Sequence, residues 1–167
     1  TNGYCTLAEI KAFVNISDSN DDDQLEDAVN SACRQIDAFC GRQFYADGSA
    51  SAKVYRTSNP YRVVVDDIST STGLVLKYDD NEDGTYETTV ASSDFLLLPL
   101  NGEAFGIAGL GFTSIELLTD GSHEFPTTRA SNRAAVQVTA NWGFAAVPEP
   151  VRQAALMLSS ENFAMRN

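Results

Sequence analysis

Apolar residues recur at two different periods along this chain, and the change of period divides it. Near the start, Leu7, Ile10, Phe13 and Val14 fall on one side of a helix. Thr6-Leu7-Ala8-Glu9 opens that helix as a capping box, in which the Thr6 hydroxyl takes the Glu9 amide and Glu9 reaches back. Residues 17–23 are polar and acidic. They predict a turn that loads negative charge onto the next helix's N-terminus, where the macrodipole favours it. Leu25, Val29, Ala32, Ile36 and Phe39 then step by 4, 3, 4 and 3, a heptad-like stripe widened by Ala28, Cys33 and Cys40. Gly41 suits a left-handed C-cap, and Arg42 places a cation at the helix's negative end. The stripe predicts that Leu25, Val29, Ile36 and Phe39 all face the other helices of the chain.

From Lys53 the period becomes two, with β-branched and aromatic enrichment. Strands are expected near 53–57, 61–66, 73–79, 85–90, 94–98, 112–118 and 134–142. Asn59-Pro60, Asp83-Gly84, Asn101-Gly102 and Asp120-Gly121 punctuate them. Residues 101–111 carry Gly102, Gly106, Gly109 and Gly111 between Phe105, Ile107 and Leu110, which reads as a loop. Ordering such a loop is costly, so its three apolar side chains are expected either to meet a partner or another subunit or to fold back onto the β region's own core. A third helix starts at Pro148-Glu149-Pro150, with Pro150 at the first helical position and Val151, Ala154, Ala155, Leu158 and Met165 on its apolar side. Three helices with one apolar face each must bury those faces together. The expected class is α+β: a small helical core of two N-terminal helices plus a C-terminal helix (1–45 and 148–167), with an antiparallel β-rich region (46–147) inserted.

Charge narrows the possible partners. The 167 residues hold 11 Lys and Arg against 23 Asp and Glu, a net charge of −12. Such a chain suits neither nucleic-acid phosphates nor an anionic membrane surface. The first 45 residues carry net −5, residues 46–147 net −7 and residues 148–167 none. The last stretch can therefore approach another surface without electrostatic penalty. No apolar run reaches the roughly 18 residues of a membrane span, and the start lacks the features of a signal peptide. Cys33 and Cys40 share one helix at a separation of roughly 10 Å, beyond disulfide reach. With Cys5 they are expected as buried, reduced thiols, which points to assembly in a cytoplasm.

Catalytic patterns are missing. The single histidine, His123, has no GxSxG serine to serve, and it is expected in a turn. The glycines from Gly106 to Gly111 do not spell GxGxxG and lead into a strand. Asp66-Asp67 and Asp79-Asp80 are adjacent pairs, and neighbours on a strand point to opposite faces. Asn15-Ile16-Ser17 matches a glycosylation sequon without a sign of secretion. Residues 79–84 match the DxNxDG opening of a calcium loop, but the twelfth position holds Val90 and strands flank it. A hairpin turn is expected there, with no metal and no cofactor. The alternative is a calcium-stabilised carbohydrate-binding or adhesion module.

The ordered motifs resemble a family. Tyr4-Cys5-Thr6-Leu7-Ala8-Glu9-Ile10-Lys11, acidic Asp21-Asp22-Asp23, and the run from Ala28 to Cys40-Gly41-Arg42-Gln43-Phe44 resemble the N-terminal signature of tailed-bacteriophage head-tail connector (adaptor, head completion) proteins. Trp142-Gly143-Phe144 followed by Val147-Pro148-Glu149-Pro150-Val151 is similar to the C-terminal signature, and residues 83–102 to an insertion carried by some members. The resemblance implies a structural virion protein of the capsid vertex and neck, assembled in the host bacterial cytoplasm and not an enzyme. It implies a ring, typically a dodecamer, below the portal protein that extends the DNA channel and offers a docking platform to a downstream neck or tail protein. DNA would pass an acidic wall without specific binding. Expected partner contacts are Phe105, Ile107 and Leu110 of the glycine-rich loop and Phe163, Met165 and Arg166 of the C-terminal helix, which the resemblance turns toward the portal.

Overall fold

A computed structural model describes residues 3–81, 83–101, 109–119, 122–127 and 134–165. They fall into two compact units, Thr1–Tyr45 with Ala146–Asn167, and Ala46–Ala145. The fold is α+β, with helices at both ends of the chain and antiparallel sheets between them.

The first unit holds α1 (Leu7–Val14), α2 (Asp22–Cys40) and α3 (Glu149–Ala164). The capping box forms as the sequence predicts: the Glu9 N–H donates to Thr6 Oγ1 at 3.2 Å, and the Thr6 N–H donates to Glu9 Oε2 at 2.7 Å. Asn15 ends α1 in the left-handed region at φ 58°. Gly41 ends α2 the same way at φ 63°, its N–H donating to the Asp37 carbonyl. Leu25, Ala28, Val29, Ala32, Cys33 and Ile36 form the buried side of α2. Each large apolar group contributes about 1.5–3 kcal/mol by leaving water. From α3 come Ala155, Leu156 and Ser159, two of them small enough for close helix approach. The apolar side of α3 thus differs from the expected one: Leu156 is buried, whereas Met165 is exposed. Pro150 occupies the second helical position, one later than expected.

Two expectations about α2 are overturned. Phe39 is in phase with the buried stripe, yet it is 93% exposed. Cys40 is exposed as well, while Cys5 and Cys33 are buried. The cause is length: α2 runs for 19 residues, α1 for 8 and α3 for 16. The stripe outlasts the surfaces offered to it.

The second unit holds seven strands: β1 (Ser51–Tyr55), β2 (Arg62–Ile68), β3 (Val75–Tyr78), β4 (Thr88–Val90), β5 (Phe95–Leu98), β6 (Phe112–Leu117) and β7 (Val136–Ala140). Each overlaps a strand expected from the period-two pattern; β1 starts two residues earlier than expected, β2 ends two later, and the other five are shorter. They pair antiparallel in two sheets, ordered β1-β7-β3-β4 and β2-β6-β5. Alternation selects the inward faces, with Val63 and Val65 of β2 and Val136, Val138 and Ala140 of β7 buried. Side chains from both sheets form one core, with Leu76, Ile115, Leu117, Phe125 and Trp142 among its members.

Trp142 ties this unit together. It bridges to Ile68 outside the regular strands, and its indole N–H donates to the Ser51 carbonyl at 2.9 Å. On either side the backbone is pinned: the Ser69 N–H donates to Asn141 O at 2.9 Å and the Gly143 N–H to Asp67 O at 2.7 Å. Gly111 sits against the same knot. A Cβ there would meet Asp67 Cβ at 3.0 Å and Gly143 O at 3.1 Å, so only glycine fits without displacement.

Candidate interaction surface

Polar bonds fix the geometry of the helical unit before it offers any surface. Arg152 at the start of α3 donates to Glu149 at 2.6 and 2.8 Å and to Glu9 of α1 at 3.0 Å. The Thr6 backbone N–H, with the Thr6 hydroxyl and Arg152 behind it, holds the Glu9 carboxyl below its ordinary range. Hydrogen bonds from Arg152 and Gln153 pull Glu149 down to about 2. At the other end, buried Tyr4 donates its hydroxyl to Asp37 and accepts the Phe44 N–H at 2.9 Å. Burial first, then the Asp37 hydrogen bond, raises the Tyr4 hydroxyl above its ordinary value. Its own N–H donates to Cys33 Sγ at 3.2 Å. Burial pushes the Cys5 thiol up to about 11, so it is an inert apolar filler and not a nucleophile.

Apolar side chains remain outside this frame. Phe13, Phe39, Met157 and Met165 are all exposed on the helical unit. Among the expected contacts, Phe163 is half-buried on α3, Met165 is exposed and Leu110 is half-buried. Phe105, Ile107 and Arg166 lie outside the described residues. A cavity of about 190 Å³ opens beside α1, lined by Gly3, Cys5, Thr6, Leu7, Glu26, Val29 and Asn30. Sequence reasoning missed both this cavity and the anchoring by Tyr4. A signal existed: Cys5 and Ile10, both buried, occupy the two hydrophobic-staple positions that flank the capping box.

The acidic loop of the β unit is built by its own backbone. The carboxylate of Asp79, wholly buried, accepts the Asp83 N–H at 3.2 Å and the Gly84 N–H at 2.7 Å. Asn81 Oδ1 accepts the Asp83 N–H at 2.9 Å, and Gly84 takes φ 100°. These bonds describe a closed turn between β3 and β4. One carboxylate oxygen from each of Asp79, Asp83 and Glu87 lies within 4.8 Å of the others, so these three are the residues that could share a hard cation. A backbone hydrogen bond lowers the Glu87 carboxyl. Desolvation and the neighbouring Asp80 and Asp83 outweigh it and leave Glu87 above its ordinary value.

His123 lies between a phenol and an acid. Its Nδ1 is 3.1 Å from the Tyr78 hydroxyl, and its Nε2 is 3.7 Å from Asp94 Oδ2. Ser93 donates its hydroxyl to Asp94 at 2.7 Å and not to the imidazole, which is the wrong order for a nucleophilic triad. Trp142 is buried, so its face is not open for stacking on a sugar ring.

A family model described as "Phage gp6-like head-tail connector protein" matches residues 4–87, half of the chain. The chain belongs to that family. It is a structural connector component of a tailed-phage virion, in a family that is not one of enzymes and whose members interact with other phage head and tail proteins. The match covers α1, the acidic turn, α2 and β1–β3. Trp142-Gly143 and α3 lie beyond it. No curated protein matches the chain. Among the described residues, no helix is long and apolar enough to cross a membrane.

Proposed function

We propose that this protein forms a ring, twelvefold in the simplest case, below the portal protein at the capsid vertex, assembled in the host cytoplasm. The ring prolongs the DNA channel and provides the platform on which the next neck or tail protein docks. The carrying observation is the family match over α1, α2 and β1–β3. The net charge of −12 supports passage of DNA through such a ring without capture, since an acidic wall repels phosphates. In this reading residues 46–147 are an insertion carried by the helical core of 1–45 and 148–167. The C-terminal helix meets the portal through Phe163, Met165 and Arg166, and the loop carrying Phe105, Ile107 and Leu110 meets a neighbouring subunit or neck partner.

Negative-stain microscopy of the chain mixed with its cognate portal tests the proposal. Rings stacked coaxially on the portal are the expected result. A chain that stays monomeric and does not bind the portal refutes it. Deleting residues 163–167 is expected to leave a folded chain with weakened portal docking. Equal binding by both forms would remove α3 from the contact.

A further inference from the structure

We propose that Phe39 of one copy inserts into the cavity beside α1 of the next copy, making a head-to-tail contact between identical chains. The inference rests on the ring reading above and names the residues that would join its subunits.

The knob is preformed. Phe39 stands exposed on the last turn of α2, and the Gly41 cap fixes the backbone of that turn. A rigidly mounted aromatic loses little conformational freedom on binding and removes about 150–250 Å² from water. The hole is preformed too. The cavity beside α1 measures about 190 Å³, with Cys5, Leu7 and Val29 among its walls. A cavity of about 150 Å³ admits benzene, so a phenyl ring fits. Gly3, part of the lining, is closely packed: a Cβ at that position would lie 3.1 Å from Cys5 O and 3.5 Å from Val29 Cγ1.

The chain's own Phe39 cannot fill this cavity. Val29 and Asn30 line it from the same helix, so knob and hole stand about 14 Å apart along one rigid axis. A Phe39 that fills it therefore comes from another copy. Charge selects the direction of approach. Glu26 sits at the cavity, and from Asp21 to Asp27 α2 and its cap carry five acidic residues and no basic one. Beyond Phe39, exposed Arg42 follows the Gly41 cap. Seating Phe39 in the next copy's cavity carries Arg42 toward that acidic end, whereas setting two acidic ends together would oppose like charges. Because knob and hole are different patches, the contact is heterologous. Repetition closes a ring when the rotation permits and continues as a filament when it does not.

Association of the full chain, followed by native mass spectrometry and sedimentation velocity, tests this contact. Phe39→Ser is expected to stay folded, because the side chain touches little, and to weaken association by at least about 30-fold. Asn30→Trp, at an exposed position on the cavity rim, is expected to block the hole to a similar extent. Mixing the two variants provides the decisive arm. The Phe39→Ser chain keeps its hole and the Asn30→Trp chain keeps its knob, so the pair should form a 1:1 heterodimer that grows no further. Wild-type rings matched by identical Phe39→Ser rings would leave the ring reading standing and overturn this contact. A wild-type chain that stays monomeric to concentrations of about 1 mM would overturn this contact, and one that also fails to bind the portal would overturn the ring reading as well.

Discussion

In the β unit the aromatic side chains Trp142 and Phe125 are buried; in the helical unit Phe39 lies open to water although it shares a stripe with Leu25, which is wholly buried. The two units reach burial by different routes. Sheet faces of similar span supply one core, and strand alternation assigns each side chain to the inside or the outside. A helix stripe is buried only as far as its partner helices reach, and α2 is longer than either of its partners. The difference separates residues that hold the fold from residues that remain available to a neighbour. Trp142-Gly143, part of the resemblance read from the sequence, belongs to the first group. Phe39, which looks like a core residue in the sequence, belongs to the second.

The largest expected effect tests the β side of this contrast. Trp142→Ala removes the buried indole from the core and its bond to Ser51, and it should destabilise the chain by about 3–5 kcal/mol in urea unfolding. A loss below about 1 kcal/mol would show that the sheets hold without it. Tyr4→Phe is the corresponding test of the helical unit. It removes the donor to Asp37 and the acceptor of the Phe44 N–H, and about 1–3 kcal/mol should be lost. Acid titration should give a smaller effect. The carboxyls of Glu9 and Glu149 lie below their ordinary values, so their contribution is present above the usual carboxylate range and disappears as pH falls through their lowered values. The melting temperatures of wild type and Arg152→Gln should therefore differ near neutrality and converge on acidification. A gap that persists in acid would assign Arg152 a packing role instead. Phe39→Ala should change stability by less than about 0.5 kcal/mol, as at other exposed positions, and a core-sized loss would place it back inside the helical unit. The smallest effect expected is none at all. A chelator should leave the melting temperature unchanged, because backbone N–H groups already occupy the Asp79 carboxylate. A drop that calcium restores and Asp83→Ala abolishes would make residues 79–84 a metal loop.

Local features of the fold were readable because they depend on near neighbours. The Thr6–Glu9 box, the Gly41 cap and the side of α2 that carries Leu25, Val29 and Ile36 follow from spacings of three or four residues. Alternation likewise placed the strands. Which strands pair was not readable. β7 lies between β1 and β3, and that order depends on pairings such as Ser51 with Ala140 and Val75 with Thr139, which no short window of sequence contains. Phe39 was misplaced because periodicity reports a direction around a helix and not the length of the partners beside it. Tyr4 was missed because a single polar aromatic ahead of a helix has no period. The expected contact residues are only partly placed: Phe163, Met165 and Leu110 are described, and exposure singles out Met165 among them. The cavity escaped notice because Gly3 and Asn30 are distant in sequence and small or polar in character.

Because the helical unit is made from both ends of this sequence, its completion depends on synthesis time. α2 leaves the ribosome about one hundred residues before α3, with the whole of Ala46–Ala145 between them. At about 5–20 residues per second, Leu25, Val29 and Ile36 wait roughly 5–20 s for Ala155 and Leu156 to cover them. The β unit is contiguous and can begin to fold in that interval. The helical unit is therefore complete only after translation has passed α3.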